Sequence, residues 1–376
     1  MTTQYQLWFS DEQGTRISPV TDYASFEYTK VVGDVDIGIF VFPYKDQTYI
    51  KEGAIDRRVT VLRAPAGWGL RADFVGFLRD WEFTTSASGQ TYVSVIAYGP
   101  NHLLKRRHIA YYAEETETKI AAVEIDDVMK QIVRDNFITN ADYSGTPSPS
   151  RSISGYGFSV ASDLTAGPTT SKDVSWTNVL DTLQDLQADS KTQGNEVFFG
   201  VVPVNENLLV FQTWTGQPGS DRTQATGTTP MVFSLENSNL ARPKRSVKSS
   251  DEITFMYGLG RGKNNARITQ TASDTTRLGK SVLNRLEGAV DTGEELNAPT
   301  LAAAQRELSF SRPTDNLTGT LLNAESTPYG IPGGWNLGDK VTANYVRRQY
   351  DVIVRSVRVK VDEDGKETVE ARIESE

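Results

Sequence analysis

Residues Tyr350–Ile373 read YDVIVRSVRVKVDEDGKETVEARI. Two runs rich in Val and Ile flank the acidic stretch Asp362-Glu363-Asp364-Gly365. Asp-Gly supplies the positive φ angles of a type I′ turn, so the segment is expected to be a tight antiparallel hairpin. The pattern occurs once before, in Phe74–Ala97, FVGFLRDWEFTTSASGQTYVSVIA. Placing Gly89 on Gly365 brings Phe74 onto Tyr350, Leu78 onto Val354, Trp81 onto Val357 and Phe83 onto Val359. Val93 then falls on Val369 and Ala97 on Ile373, with no gap. A duplicated module and a chance likeness of two period-two patterns both account for this. Duplication would make two related β-modules with something different between them.

The chain has 376 residues, enough for two or three domains. Its 15 Tyr, 15 Phe, 6 Trp and 30 Gly favour strands joined by many turns. With no cysteine, neither disulfides nor thiolate metal sites can hold the fold. The formal charge of −9 argues against a general nucleic-acid binder, which needs a basic footprint. The N-terminal MTTQYQLWFSDEQG lacks a basic n-region and a long apolar run, so no signal peptide is expected. No stretch reaches the roughly 18–20 apolar residues of a membrane-spanning helix.

Along the chain, residues 5–10, 26–42, 58–63 and 72–98 have strand character. Asp34, Asp36 and Gly38 have the spacing that begins a calcium loop, but Phe and Val hold the later ligand positions, so no metal site is expected. His102 and His108 cannot share a helix face and have no carboxylate at ligand spacing. Lys105, Arg106 and Arg107 between them read as a solvated or interface patch. From Glu124 to Phe137 the period becomes helical, with Ile125, Val128, Met129, Ile132 and Val133 on one face and Asp126 and Asp127 at its start. Residues 140–172 read as a long polar loop. A second helix is expected after Asp173 or Ser175 as N-cap, with Trp176, Val179, Leu180, Leu183 and Leu186 on its apolar face. Strands at 196–203 and 207–214 follow, turning at Asn205. The fold class is therefore mainly β with an α+β insertion, divided as a β-module at 1–112, an α+β domain at 113–240 and a second β-module at 241–376.

The most specific residues lie beyond. Gly219 before Asp221 permits a tight turn. It places Arg222 for a carboxylate contact, with Glu236 the candidate partner, or else leaves it in a plain exposed loop. Gly258-Leu259-Gly260 precedes a strand-like run rather than a helix, which excludes a phosphate-cradling loop. A helix is expected around residues 294–308. Gly338-Asp339, after Trp335 and Leu337, reads as a turn that launches a strand. No nucleophile elbow, HExxH or Walker A sequence is present, and no enzymatic activity or cofactor is expected.

The ordered series Gly219/Asp221/Arg222/Thr223, Phe233/Ser234/Glu236/Asn239/Leu240, Gly258/Gly260/Arg267 and Trp335/Leu337/Gly338/Asp339 resembles the tail-hub, or tail-tip, minor structural proteins of long-tailed bacteriophages, relatives of phage baseplate hub proteins. The resemblance spans roughly residues 58–374. It departs at Arg285-Leu286-Glu287, where Arg directly followed by Glu is expected. It implies two tail-tube-like β-barrel modules around the α+β domain, assembled as a homotrimer that closes the tail tube in the virion. The implied partners are a distal tail protein or tube ring, tip and fibre proteins and the tape-measure protein, with DNA only in transit. Synthesis would be in the host cytoplasm. Asp221, Arg222, Glu236, Trp81, Trp335, Gly338 and Asp339 are the candidate structural or assembly residues. The basic runs Lys105–Arg107 and Arg242–Lys248 are expected to face protein neighbours or the outside. A carbohydrate- or receptor-binding tail protein and a tail-associated hydrolase are the competing readings.

Overall fold

In the computed structural model, the structure describes residues 3–20, 22–44, 55–110, 118–138 and 151–375. Strands account for 45% and helices for 16% of the chain, so the fold is mainly β. It divides into two compact units. The first comprises residues 1–190, 195–243 and 318–376, and the second residues 191–194 and 244–317. The second unit thus interrupts the segment 241–376 that the sequence suggested as one module.

The first unit begins with seven strands: β1 (Gln4–Ser10), β2 (Arg16–Val20), β3 (Ser25–Val31), β4 (Ile37–Pro43), β5 (Arg58–Ala64), β6 (Arg71–Thr85) and β7 (Thr91–Tyr98). The α+β segment follows with α1 (His102–Lys105), β8 (Thr118–Glu124), α2 (Ile125–Phe137), β9 (Phe158–Val160), β10 (Thr169–Val174), α3 (Val179–Thr192), β11 (Val197–Pro203) and β12 (Leu209–Thr215). Short strands β13 (Asp221–Arg222) and β14 (Val232–Ser234) lead to β15 (Leu240–Lys248). The second unit holds β16 (Phe255–Leu259), β17 (Thr269–Ser273), α4 (Thr275–Leu278), β18 (Glu287–Asp291) and α5 (Asn297–Phe310). The chain ends with β19 (Thr314–Leu322), β20 (Lys340–Tyr345), β21 (Arg348–Val361) and β22 (Glu367–Ser375).

The two chain ends share one 14-stranded sheet, ordered β15-β19-β22-β21-β3-β4-β7-β6-β5-β1-β2, with β20 on β21 and β13 and β14 on β20. Among the described residues this pairing does not close into a barrel. The alternating apolar residues of the strands form its core: Phe26, Phe40 and Phe42 on β3 and β4, Phe74 and Leu78 on β6, and Val357, Val359 and Val361 on β21 are all buried.

The two hairpins match in detail. In β6–β7, Phe83 faces Val93, Trp81 faces Val95 and Leu78 faces Ala97, with a bulge between Leu78 and Asp80. In β21–β22, Val359 faces Val369, Val357 faces Ala371 and Val354 faces Ile373, with a bulge between Val354 and Ser356. The bulged residues are Arg79 and Arg355. The likeness extends to the flanking strands. β5 pairs with the first half of β6 so that Arg58 faces Phe77, and β20 pairs with the first half of β21 so that Lys340 faces Ile353. On the far side of each hairpin, Gly38 of β4 faces Ala97 and Gly319 of β19 faces Ile373. A period-two pattern alone fixes neither a bulge nor the partner strands, so the two halves share a local architecture.

The expected type I′ turn is corrected. At Asp362–Lys366 only Gly365 has positive φ (74°), and its amide donates to the Asp362 carbonyl while the Asp362 amide donates to that of Lys366. This is a longer turn ending in a left-handed glycine. Gly89 (φ 82°) closes Ser86–Gln90 by the same two bonds.

In the α+β segment the helical spacing at 124–137 becomes α2, whose Ile125, Val128, Met129, Ile132, Val133 and Phe137 pack against Leu183, Phe199 and Phe211. Asp126 does more than meet the helix dipole. It is fully buried, pairs with Lys130 at 2.9 Å and accepts the amides of Leu164 and Ala166. The cap of α3 is neither Asp173, which lies in β10, nor Ser175. Asn178 accepts the Leu180 and Asp181 amides through its side-chain oxygen. Trp176, at φ 57°, precedes the helix and is 51% exposed, so it is not part of the apolar face. The expected loop at 140–172 contains β9 and the start of β10, while residues 140–150 lie outside the described residues. Asn205 makes the β11–β12 turn, its side chain accepting the Asn207 and Leu208 amides.

In the second unit β16 lies between antiparallel β17 and parallel β18, and α5 packs on them through Ala304 and Leu308 against Met256 and Ala272. A Cβ at Gly258 would stand 2.7 Å from the Thr300 carbonyl oxygen, so that glycine admits the helix to the sheet. Arg267 donates to the Gly260 carbonyl and to Asp291.

Candidate functional site

The motif residues around β13, β14 and β20 converge although they lie more than a hundred residues apart in sequence. Parallel pairing sets Asp221 opposite Lys340 and Phe233 opposite Ala343. Asp339, 2% exposed, accepts the Ser220 amide at 2.7 Å, the Asn336 amide at 2.9 Å and the Arg222 Nε at 3.3 Å. Burial pushes the Asp339 carboxyl above its ordinary range, and these donors offset the shift only in part. Arg222 therefore pairs with Asp339 rather than with Glu236, which is exposed; a second bond joins Arg222 to Thr229 at 2.6 Å. Asp221 accepts from the Thr223 amide and hydroxyl and the Thr226 hydroxyl, which hold its carboxyl below the usual range.

Gly338 sits at φ 81° with Pro218 2.8 Å from where its Cβ would lie, and Gly219 faces Asp339 in the same way. Trp335 is fully buried, donates to the Thr327 carbonyl at 2.8 Å and packs edge-on against Phe233. Asn239 accepts the Ser234 amide and donates to the Val232 carbonyl. Arg222, Trp335, Gly338 and Asp339 thus form a structural knot that fixes β13 and β14 onto β20. Glu236 stands outside this knot, and Trp81 lies apart on β6.

A second polar cluster ties the sheet's N-terminal strands to its C-terminal part. Asp73 of β6 accepts from Lys30 at 2.5 Å, Tyr28 at 2.5 Å and Tyr329 at 3.0 Å. Arg63 binds Glu367 through two nitrogens at 2.8 and 2.9 Å, donates to the Tyr329 carbonyl and lies over the Tyr329 ring, while Tyr5 donates to Glu367. Burial acts to raise the Asp73 pKa, but the Lys30 charge and its hydrogen bonds outweigh burial and the net direction is down. Sequence reasoning missed this cluster. Its signal was a charge inside each strand run: Lys30 before Val31-Val32, Arg63 after Val61-Leu62 and Asp73 before Phe74-Val75.

In the basic patch Lys105–Arg107, Lys105 is exposed, but the other two residues have internal partners. Arg106 pairs with Asp56 at 2.7 Å, and Arg107 donates to the carbonyls of Asn136 and Arg151. Burial lowers the Arg107 pKa to about 10. His102 stacks on Tyr98 and accepts from Arg106 at its Nδ1, and burial first, then the nearby cations, lower its pKa to about 4. Among the described residues no three His, Asp or Glu side chains cluster as metal ligands do.

The fold is that of several solved phage tail proteins. The fold matches the tail protein from Neisseria meningitidis (TM-score 0.57, 12% identity, 99% of this chain and 97% of that one). It also matches the 43 kDa tail protein of prophage MuSo2 from Shewanella oneidensis (TM-score 0.58, 13%, 98% and 97%) and prophage tail protein gp18 from Listeria monocytogenes (TM-score 0.54, 12%, 99% and 95%). No curated protein matches the chain in sequence. The profile of the Siphovirus ReqiPepy6 Gp37-like protein family matches residues 5–373, and the chain belongs to that family of bacteriophage tail structural proteins.

Proposed function

We propose that the protein is the hub of a phage tail tip, three copies of which form a ring that closes the tail tube and anchors tip and fibre proteins. The observation that carries this reading is the repeat within the chain: β5-β6-β7-β4 and β20-β21-β22-β19 share pairing, register and bulge. A tail tube is commonly sixfold, and three chains with two like modules each present six similar faces. Each module becomes one barrel of the ring, and the α+β segment is left to hold other tip proteins. At −9 per chain the ring is acidic, which suits DNA that has to pass without sticking. The protein acts without catalysis. It is made in the host cytoplasm and carried in the virion, where its neighbours are a tube ring or distal tail protein and the tape-measure protein. A density map of the assembled particle tests the reading: three copies per tip are expected, and six copies overturn it. Release of soluble peptidoglycan fragments by the pure chain, abolished by changing one carboxylate, overturns the non-catalytic part.

A further inference from the structure

The two matched hairpins differ in what lies along one edge. Along β21, the edge opposite β22 is filled twice, by β20 up to Ile353 and then by β3 from Ser356 to Val361. Along β6, β5 fills the matching edge up to Phe77, but beside Asp80–Thr85 no strand lies among the described residues. The burial follows the pairing. Val357, Val359 and Val361 are fully buried beside β3, whereas of their counterparts Trp81 is only half-buried, Phe83 is 47% exposed and Thr85 is exposed. Long, partly apolar open edges are rare in stable sheets because unpaired amides and carbonyls invite another strand.

The chain also contains the counterpart of β3. β3 is the strand next to β4, and β15 is the strand next to β19, the match of β4. Among the described residues, the edge of β15 away from β19 is open too. The Leu322 amide donates to the Asn239 carbonyl, a register that sets Ala241 opposite Thr320, the counterpart of Ile39, which Glu27 faces. The charges complement each other. The open edge of β6 carries Asp80 and Glu82, and β15 carries Arg242 and Lys248, while Arg245 is held by Asp315 at 2.7 Å. The joint inside the chain has a pair of opposite polarity, Arg358 of β21 with Glu27 of β3 at 2.6 Å, and Glu82 is the counterpart of Arg358.

We propose that β15 of one copy pairs with the Asp80–Thr85 edge of β6 in the next copy, repeating between chains the β3–β21 joint made within each chain. This rests on the ring reading above and names its contact surface. The interface is head-to-tail, since each copy gives β15 on one side and takes it on the other, so it closes only as a ring. Pro243 provides no amide hydrogen and Arg242 has φ 48°, so β15 pairs in two short runs. That interruption keeps β15 from adding to arbitrary sheet edges.

The absence of native cysteine makes the test clean. Thr84 is the counterpart of Lys360, which faces Glu27, so the pair Thr84→Cys/Ala241→Cys brings thiols within disulfide reach across the proposed ladder. Phage carrying both changes are purified and their tails run on non-reducing gels, with single-cysteine controls and with Leu240→Cys or Arg242→Cys in place of Ala241→Cys to cover neighbouring registers. A covalent ladder that stops at three chains is expected for at least one double variant. Tips that hold three copies yet never cross-link overturn the joint and leave the ring standing; tips with another copy number overturn both. In parallel, Glu82→Arg should lower the yield of intact tails about tenfold, and Ala241→Glu added to it, which rebuilds the Arg358–Glu27 pair of the internal joint, should restore the yield. A double variant no better than the single one overturns the charge pairing.

Discussion

Asp73→Asn tests the tie between the sheet's two ends. The carboxylate receives three donors, from Lys30 and Tyr28 on β3 and from Tyr329 in the connection that precedes β20. The Lys30 and Asp73 side chains are only 17% and 14% exposed. At 2.5 Å their attraction is worth several kcal/mol before desolvation is subtracted. The asparagine keeps the shape and one acceptor but leaves the Lys30 ammonium without its counter-charge. We expect a loss of about 2–4 kcal/mol, out of a total that for a folded domain is about 5–15 kcal/mol. Urea unfolding followed by tryptophan fluorescence measures it, with an unchanged m-value as the sign that only stability has moved. Lys30→Met in the same chain removes the stranded charge, so the double variant should be more stable than Asp73→Asn alone by about 1–2 kcal/mol. A loss below about 1 kcal/mol for the single variant, or additive losses in the double, would refute the view of this cluster as a coupled ionic network.

Asp36, pushed up by burial to about 7 from the ordinary 3.8, holds its proton in the folded state over a range where the unfolded chain has lost it. Its contribution to stability therefore falls as pH rises from about 4 to 7, and Asp36→Asn should be more stable than the parent at pH 8 by about 2 kcal/mol, with the gap closing below pH 4 in thermal melts. His102 works in the opposite sense: its folded pKa of about 4 lies below the ordinary 6.5, so stability is lost as pH falls between those values, and His102→Gln should flatten that limb by about 1 kcal/mol given its partial exposure. Gly38→Ala forces a Cβ to 2.7 Å from the Phe40 ring and 2.9 Å from that of Phe74, whereas at Gly319 the nearest atom is a Leu240 methyl at 3.1 Å. Chemical denaturation should show about 1–3 kcal/mol lost at Gly38 and less than about 1 at Gly319; equal losses would mean that the two positions are packed alike.

The hairpins were legible because a strand's period and a glycine's positive φ are local properties, and the Gly89–Gly365 match carried over to Phe83–Val93 and Val359–Val369. The helix α2 was legible for the same reason. The turn type was not, since Asp-Gly fits both a tight two-residue turn and the longer one present. Trp176 fits the helical spacing of α3, but its left-handed backbone ends the pattern before the helix starts. The partner of Arg222 was misread because Glu236 is near in sequence, while Asp339 is brought close by the pairing of β13 with β20, 117 positions away. No local pattern announces that β3 pairs with β21, so the junction of the two halves, its buried ions and the open stretch of β6 emerge only from the fold.

That junction also sets the order in which the chain becomes a protein. Tyr5 and Glu367 are 362 positions apart, and Glu27 and Arg358 are 331 apart. A ribosome that has finished β3 and β4 still has most of the message to read before β21 exists. During that interval the edge of β3 that β21 will fill stays unpaired. Such a chain has high contact order, folds slowly and is at its most vulnerable to aggregation while incomplete. The last hairpin made is thus the one that lets the first strands finish folding, so a message cut short near its end yields a sticky fragment rather than a smaller working subunit.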